Sequence, residues 1–305
     1  MTLPEVPAPT PAGRAGCGRA SALGRLRIAL CVVGLLAGLS LAGCGSGPPA
    51  QLAGSPLAHQ LSGQGAGPLL VLQSGLGDGS ASWAEVQPLL ARAHRVLAYD
   101  RPGEGRSPAV AGPRDPCTVA DELHALLQQL QLPPPYVLVG HSLGGLYQFV
   151  YARRYPGEVL GLVLLDPTHP DHWAQVQAQT PALAAMLKGL RSTVFSAAAA
   201  REFDDQAACL ATLAASPATL SATSSATPPP AQVLLSTERA ALETPAFARM
   251  LDGLRQDWLR LLGAHAVLQP VPGTTHYIQR DAPAAVVRAV ASVIEEAAVL
   301  ERPRP

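Results

Sequence analysis

Lysine is nearly missing from this chain. Lys188 is the only lysine among 22 basic residues, and 22 acidic residues bring the formal net charge to zero, with a sequence pI near 7.1. A chain without a basic excess has little means of holding a phosphate backbone, which argues against nucleic acid as a partner. Aromatic residues are scarce too, at 4%, too few for a platform on which single-stranded bases stack. Charged residues reach only 14% against 48% hydrophobic ones, the reverse of a disordered tail. The cysteines and histidines include no C-x-x-C pair and no metal-site spacing, so neither a metal nor a cofactor is expected. There is no internal repeat. What remains is a soluble globular domain of a size that suits an enzyme: beyond its N-terminal segment the chain is long enough for one large α/β domain with a full core.

That N-terminal segment has its own logic. Residues 1–27 carry Arg14, Arg19, Arg25 and Arg27, with Glu5 as their only acid, and the uncharged run IALCVVGLLAGLSLAG follows at 28–43. The run is short for a spanning helix, which takes roughly 20 apolar residues, but suits the core of a signal peptide. It ends in Leu41-Ala42-Gly43-Cys44, followed by GSGPPA. This tetrad resembles the lipobox of bacterial lipoproteins. The resemblance implies that 1–43 is removed, that Cys44 is lipidated, and that the protein is exported to the cell envelope and anchored to a membrane there. Residues 44–57 then read as a flexible linker. The alternatives are an uncleaved anchor, or a plain signal peptide and a periplasmic or secreted product. Cys117 and Cys209 stay in the folded part; an oxidising compartment would let them pair, and their spacing leaves open whether they do.

From about residue 68 strand-like and helix-like segments alternate. Short apolar runs at 69–73, 95–100, 136–140, 160–166, 232–237 and 266–271 read as strands. Helical periodicity appears at 82–93, where Pro88 interrupts it, and at 118–130, with Thr118 as the expected N-cap. It returns at 143–155, 246–263 and 284–300. Apolar strands separated by helices predict a mostly parallel sheet covered on both faces. Residues 167–231 break the alternation and are too long for a bare connection. They are expected to form a helical cap between two parts of one core, 58–166 and 232–305.

Between the third strand and its helix stands Gly140-His141-Ser142-Leu143-Gly144. A G-x-S-x-G in that context puts the serine on a tight, strained turn, with its hydroxyl above the sheet and the next residue's N–H aimed at the same space. From roughly residue 58 to 300 the chain resembles the α/β-hydrolase superfamily. The matching segments, in order, are LLVLQSGLGDGSASW (69–83), YDRPGEGRS (99–107), GHSLGG (140–145), LGLVLLDPTHP (160–170) and PGTTHYIQRDAP (272–283). The resemblance implies an α/β-hydrolase fold with Ser142 as nucleophile and His276 as general base. It also implies an oxyanion hole from the N–H groups of Leu76 and Leu143, with Ser74 where the family usually has histidine.

The acid has two candidates from the family's two patterns. Asp166, in Leu165-Asp166-Pro167 after the fourth strand, is preferred; Glu238, in STERAALETP (236–245), is the alternative, and that loop also holds Glu243. Asp281 reads as a cap of the last helix, and Asp100 and Arg101 as shaping a loop. His141 reads as packing beside the elbow; His59, His94, His124 and His265 read as solvated or structural. His169 and His172 lack a third metal ligand and are expected near the pocket mouth. The expected activity is cleavage of a carboxylic ester in a small-molecule acyl substrate through an acyl-enzyme. Serine at the elbow speaks against dehalogenase and epoxide-hydrolase chemistry, which need a carboxylate nucleophile. Amide, thioester, lactone and C–C hydrolysis remain open, as does a catalytically inactive binding or scaffolding lipoprotein on the same fold.

Overall fold

The apolar runs do form a parallel sheet. In the computed structural model, which describes residues 57–215, 228–239 and 244–302, the strands are β1 (His59–Ser62), β2 (Leu69–Gln73), β3 (Val96–Tyr99), β4 (Tyr136–His141), β5 (Val159–Leu165), β6 (Ala231–Ser236) and β7 (Ala266–Val271). The expected signal peptide, Cys44, nearly all of the expected linker and Glu243 lie outside the described residues. Spatial order is β1-β3-β2-β4-β5-β6-β7, with β1 antiparallel to β3 and every other pairing parallel. The central strands lack polar alternation because both their faces are covered. Leu69 and Val71 enter one layer of the core while Leu70 and Leu72 enter the other, and Leu162, Leu164 and Val163, Leu165 divide in the same way.

The helices are α1 (Gln87–Leu90), α2 (Pro116–Gln129), α3 (Leu143–Arg154), α4 (His172–Gln179), α5 (Pro181–Val194), α6 (Ala197–Asp205), α7 (Leu210–Ala215), α8 (Pro245–Leu262), α9 (Ile278–Asp281) and α10 (Pro283–Leu300). Leu123 of α2, Leu146 of α3 and Trp258 of α8 pack into one face of the sheet; Leu90 of α1 with Val286 and Val293 of α10 pack into the other.

Some local expectations need correction. The helix expected over 82–93 is a 3-10 turn at Ser80–Trp83 followed by the short α1, with Pro88 in its first turn. The N-cap of α2 is Asp115, not Thr118. Pro116, which has no N–H to satisfy, opens the helix, and the Asp115 carboxylate accepts from the N–H groups of Cys117 and Thr118. His59 is buried within the unexpected edge strand β1, its ring nitrogen bonded to the Leu57 carbonyl at 2.9 Å.

Helices α4–α7 occupy 172–215, inside the stretch expected as a cap, and they are fastened to the core by three kinds of bond. A disulfide joins Cys117 of α2 to Cys209, which precedes α7, across a sequence separation of 92. Arg101 and Arg114 both reach Glu202 of α6, at 2.9 and 3.5 Å, and the three side chains are almost wholly buried. Ser196, the N-cap of α6, donates to Glu104 Oε1 at 3.2 Å. Burial, against the pull of nearby Arg101, raises the Glu104 carboxyl to about 7.

Two expectations follow from this seam. Closing a loop of that length removes enough chain entropy that losing the disulfide costs about 2–5 kcal/mol. Cys209→Ser, or wild type in reductant, is therefore expected to unfold at lower urea concentration, and an unchanged midpoint would contradict a formed bond. For Glu104 the folded state keeps its proton to higher pH than the ordinary value of 4.5. Its contribution is complete below that value and is lost as pH rises toward about 7. Glu104→Gln should flatten the fall in unfolding free energy over that interval; an unaltered slope would rule the assignment out.

Candidate active site

The turn from β4 into α3 places Ser142 at φ 52°, ψ −121°, a conformation an L-residue adopts only when the surroundings impose it. Those surroundings are hydrogen bonds to β5 and the segment after it. Ser142 N–H donates to the Leu165 carbonyl at 3.0 Å, and the Ser142 carbonyl accepts from the N–H of Thr168 at 3.0 Å and of Gly145 at 2.9 Å. Close approach explains the flanking glycines. A Cβ at Gly140 would lie 2.5 Å from the Gly144 carbonyl oxygen, and one at Gly144 would lie 2.3 Å from that of Gln73. Ser142 lines a cavity of about 260 Å³ together with Gly75, Leu76, His276 and Tyr277 on the core side and Leu187, Leu190, Val194 and Phe195 on the side of α5.

His276 lies in the loop between β7 and α9. Its Nδ1 donates to Asp166 Oδ2 at 2.8 Å, which keeps a proton on Nδ1. Asp166 directly follows β5 at φ 41°, with its N–H held by the Leu234 carbonyl at 2.8 Å. Its carboxylate also accepts from Ser236 Oγ at 2.8 Å and, on Oδ1, from Arg255 at 2.8 Å. Burial pushes this carboxyl up. The bond and charge of His276, the Arg255 guanidinium and the Ser236 hydroxyl outweigh it and hold the group well below the usual carboxylate range. Glu238, by contrast, is exposed, and its main-chain N–H is the group that bonds to the Thr274 carbonyl, at 2.9 Å. Among the described residues no hydrogen bond joins the Glu238 side chain to His276, nor Ser142 to His276, although Ser142 and His276 face the same cavity.

Asp281 is not the cap of the last helix. The N-cap of α10 is Ala282, and the Asp281 carboxylate instead accepts from Thr275 N–H at 2.7 Å and Thr275 Oγ1 at 2.6 Å, bracing the residue before His276. His141 is buried beside the elbow, and its Nε2 donates to the His276 carbonyl at 2.9 Å. Burial first, then the neighbouring His276, pushes its imidazole well below its ordinary value, so the ring is neutral. Two side chains thus brace the His276 loop, and their contacts leave no trace in a linear motif.

Leu76 follows β2 in a turn organised by Ser74. The buried Ser74 hydroxyl donates to the Gly79 carbonyl at 2.8 Å and accepts from Ser82 Oγ and Trp83 Nε1, both at 2.9 Å. Ser74 stands where histidine is usual and serves as the hub of the loop. Leu143 opens α3, so its N–H is one of the helix's first donors, without an intrahelical partner.

His172 lines the cavity and burial lowers it to about 4, so its ring is neutral there. His169 turns away: its edge packs on Trp258, Nε2 bonds to Asp257 Oδ2 at 3.1 Å, and Nδ1 accepts from Asp171 N–H at 3.1 Å. His169, Asp171 and Asp257 bring ligand-type atoms within 4.8 Å of one another, but both ring nitrogens are engaged and Asp257 is also paired with Arg260.

A family model described as alpha/beta hydrolase fold matches residues 68–239. A Variovorax paradoxus protein bearing the name of a carbamate hydrolase is 40% identical over 36% of this chain and 42% of its own length. A human (lyso)-N-acylphosphatidylethanolamine lipase is 32% identical over 39% of this chain and 37% of its own. This chain therefore spans less than half the length of either relative. Among solved structures, an enol-lactonase from Burkholderia xenovorans superposes with a TM-score of 0.55 at 22% identity, covering 78% of this chain and 96% of that one. A haloalkane dehalogenase loop variant from Bradyrhizobium elkanii gives 0.57 at 21% identity, covering 80% and 94%. At those identities the likeness speaks for the fold, and the two enzymes' names show that the fold serves more than one chemistry.

The elbow geometry carries its own expectation. Gly144→Ala forces a methyl against two main-chain oxygens and is expected to cost about 1–3 kcal/mol of unfolding free energy. Gly157→Ala, where nothing lies within 4 Å, serves as the control. Equal urea midpoints for the two variants would contradict the crowding.

Proposed function

This chain belongs to the alpha/beta hydrolase fold family, and on that premise we propose that it is a serine hydrolase cleaving carboxylic esters through an acyl-enzyme. Ser142 Oγ attacks the ester carbonyl while its proton passes to His276 Nε2. Asp166 holds the opposite side of the ring and stabilises the imidazolium. The N–H groups of Leu76 and Leu143 receive the oxyanion. Collapse of the tetrahedral species expels the alcohol, which takes the proton from His276. Water then loses a proton to His276 and attacks the acyl carbon; the acid leaves and the proton returns to Ser142.

One observation carries this reading: the 2.8 Å bond from His276 Nδ1 to Asp166 Oδ2, at a cavity that Ser142 also lines. The apolar side chains of Leu76, Leu187, Val194 and Phe195 along that cavity favour a substrate with an apolar acyl or alcohol group. Amides, thioesters and lactones would pass through the same steps with an amine, a thiol or a tethered hydroxyl as the leaving group. A C–C substrate would need its leaving carbon protonated in place of the alcohol oxygen. Export fits the Cys117–Cys209 bond, since disulfides persist in oxidising compartments, and with it a lipid anchor on Cys44.

The test is a fluorophosphonate probe with turnover of p-nitrophenyl esters. Wild type is expected to be labelled, and Ser142→Ala to lose labelling and on the order of 10⁴-fold or more in kcat. Asp166→Asn should lose on the order of 10³–10⁴-fold, while Glu238→Gln stays near wild type. Wild-type protein that resists the probe would favour a binding role instead, and an active Asp166→Asn would overturn the assignment of the acid.

A further inference from the structure

β3 runs into Asp100 and Arg101, and the Arg101 guanidinium is 1% exposed. Burying a guanidinium is costly unless its donors are used, and here they are. Nη1 donates to the Ser74 carbonyl at 2.6 Å and Nη2 to the Gly75 carbonyl at 2.8 Å. Nε and Nη2 face the Glu202 carboxylate at 2.9 Å each. The Tyr147 ring lies 5.4 Å from the guanidinium carbon. One planar fork therefore grips two consecutive carbonyls of the turn after β2, and its other edge is held by α6.

The second of those carbonyls belongs to the peptide that joins Gly75 to Leu76. A trans peptide is planar, with its C=O and N–H pointing in opposite directions. Drawing the Gly75 oxygen toward the buried guanidinium turns the Leu76 N–H the other way. Leu76 lines the cavity that Ser142 lines. The Asp78 N–H, at 3.2 Å, is a further donor to the same oxygen. Gly75 has no side chain with which to limit its own dihedrals, so this peptide depends on outside contacts for its orientation. A hydrogen bond on the carbonyl also polarises the amide and strengthens its N–H as a donor.

We propose that Arg101 is a positioning residue for the oxyanion turn, and that Glu202 of α6 holds it in place, so that the seating of the cap on the core sets the aim of the Leu76 N–H. This rests on the serine-hydrolase reading. Glu202 is 0% exposed and is also reached by Arg114, so its carboxylate is fixed from two sides. Lysine would not do the same work: its single ammonium cannot span two carbonyls and a carboxylate in one plane.

The test compares wild type with Arg101→Met, Arg101→Lys and Glu202→Gln. The readouts are kcat and KM on a p-nitrophenyl ester, the inhibition constant of phenylboronic acid as a mimic of the tetrahedral adduct, and thermal unfolding. Loss of one well-aimed oxyanion donor lowers kcat on the order of 10²–10³-fold. Arg101→Met is expected to show a loss of that order with KM within about twofold, since the donor acts on the tetrahedral state. Arg101→Lys should recover part of the loss and Glu202→Gln should show a smaller one, with boronate affinity falling in step with kcat. Should Arg101→Met fail to fold, the other two variants carry the same comparison. Folded variants that keep wild-type kcat and boronate affinity would overturn the proposal. So would losses that appear in KM alone, or that vanish well below the unfolding temperature. If wild type turns esters over through Ser142 while these variants match it, only this inference has failed. If wild type shows no Ser142-dependent turnover, the serine-hydrolase reading has failed and this proposal falls with it.

Discussion

The hydrogen bond between His276 and Asp166 is the constraint on which the rest depends. The two residues are 110 positions apart in sequence, and only the sheet brings them together. Because β2, β4, β5, β6 and β7 run parallel, their carboxyl ends gather at one edge. From that edge come the turn carrying Leu76, the elbow carrying Ser142, the loop carrying Asp166 and the loop carrying His276. The same sheet that buries the apolar strands thus gathers the site. Every strand buried on both faces extends the edge on which the polar groups meet.

That edge holds conformations an isolated peptide would avoid. Ser142 and Asp166 both take positive φ, each costing on the order of 1–3 kcal/mol. They persist because neighbouring strands hold them. Ser142 is bonded to the end of β5 and to Thr168, and Asp166 to Leu234 within β6. The buried charge of Asp166 is met by donors from three separate segments: His276, Ser236 and Arg255. A buried carboxylate with one donor would take up a proton at mild acidity; with three it stays ionised and can orient an imidazole. The same logic covers the seam between the core and α4–α7, where the Glu202 carboxylate meets both Arg101 and Arg114 away from water.

Much of this was legible in the amino-acid sequence, and the parts that were not share a cause. The strands from β2 onward could be read because each is mostly apolar, even where Gln232 and Gln269 interrupt β6 and β7, and the elbow because glycines flank the serine at fixed spacing between a strand and a helix. β1 could not: it is a short edge strand with Gln60 and Leu61 exposed, and no run announces it. Thr118 looked like a cap because it precedes a periodic stretch, but Pro116 starts the helix earlier and Asp115 takes the role. Asp166 and Glu238 are hard to tell apart in a linear motif because each follows a strand at the same edge, whereas the hydrogen bond to His276 is made by Asp166. The Arg101–Glu202 pair spans 101 residues and the disulfide 92. Long-range polar pairs carry no periodic signature, so Arg101 read as a loop-shaping residue while its hold on the Ser74 and Gly75 carbonyls stayed out of view.

The most direct test of the proposed centre is a crystal structure of the protein after reaction with a small fluorophosphonate. The account predicts phosphorus bonded to Ser142 Oγ, with one phosphoryl oxygen about 2.7–3.1 Å from the main-chain nitrogens of both Leu76 and Leu143, and the His276–Asp166 bond intact. A phosphoryl oxygen turned to solvent, or an adduct on any other residue, would contradict it.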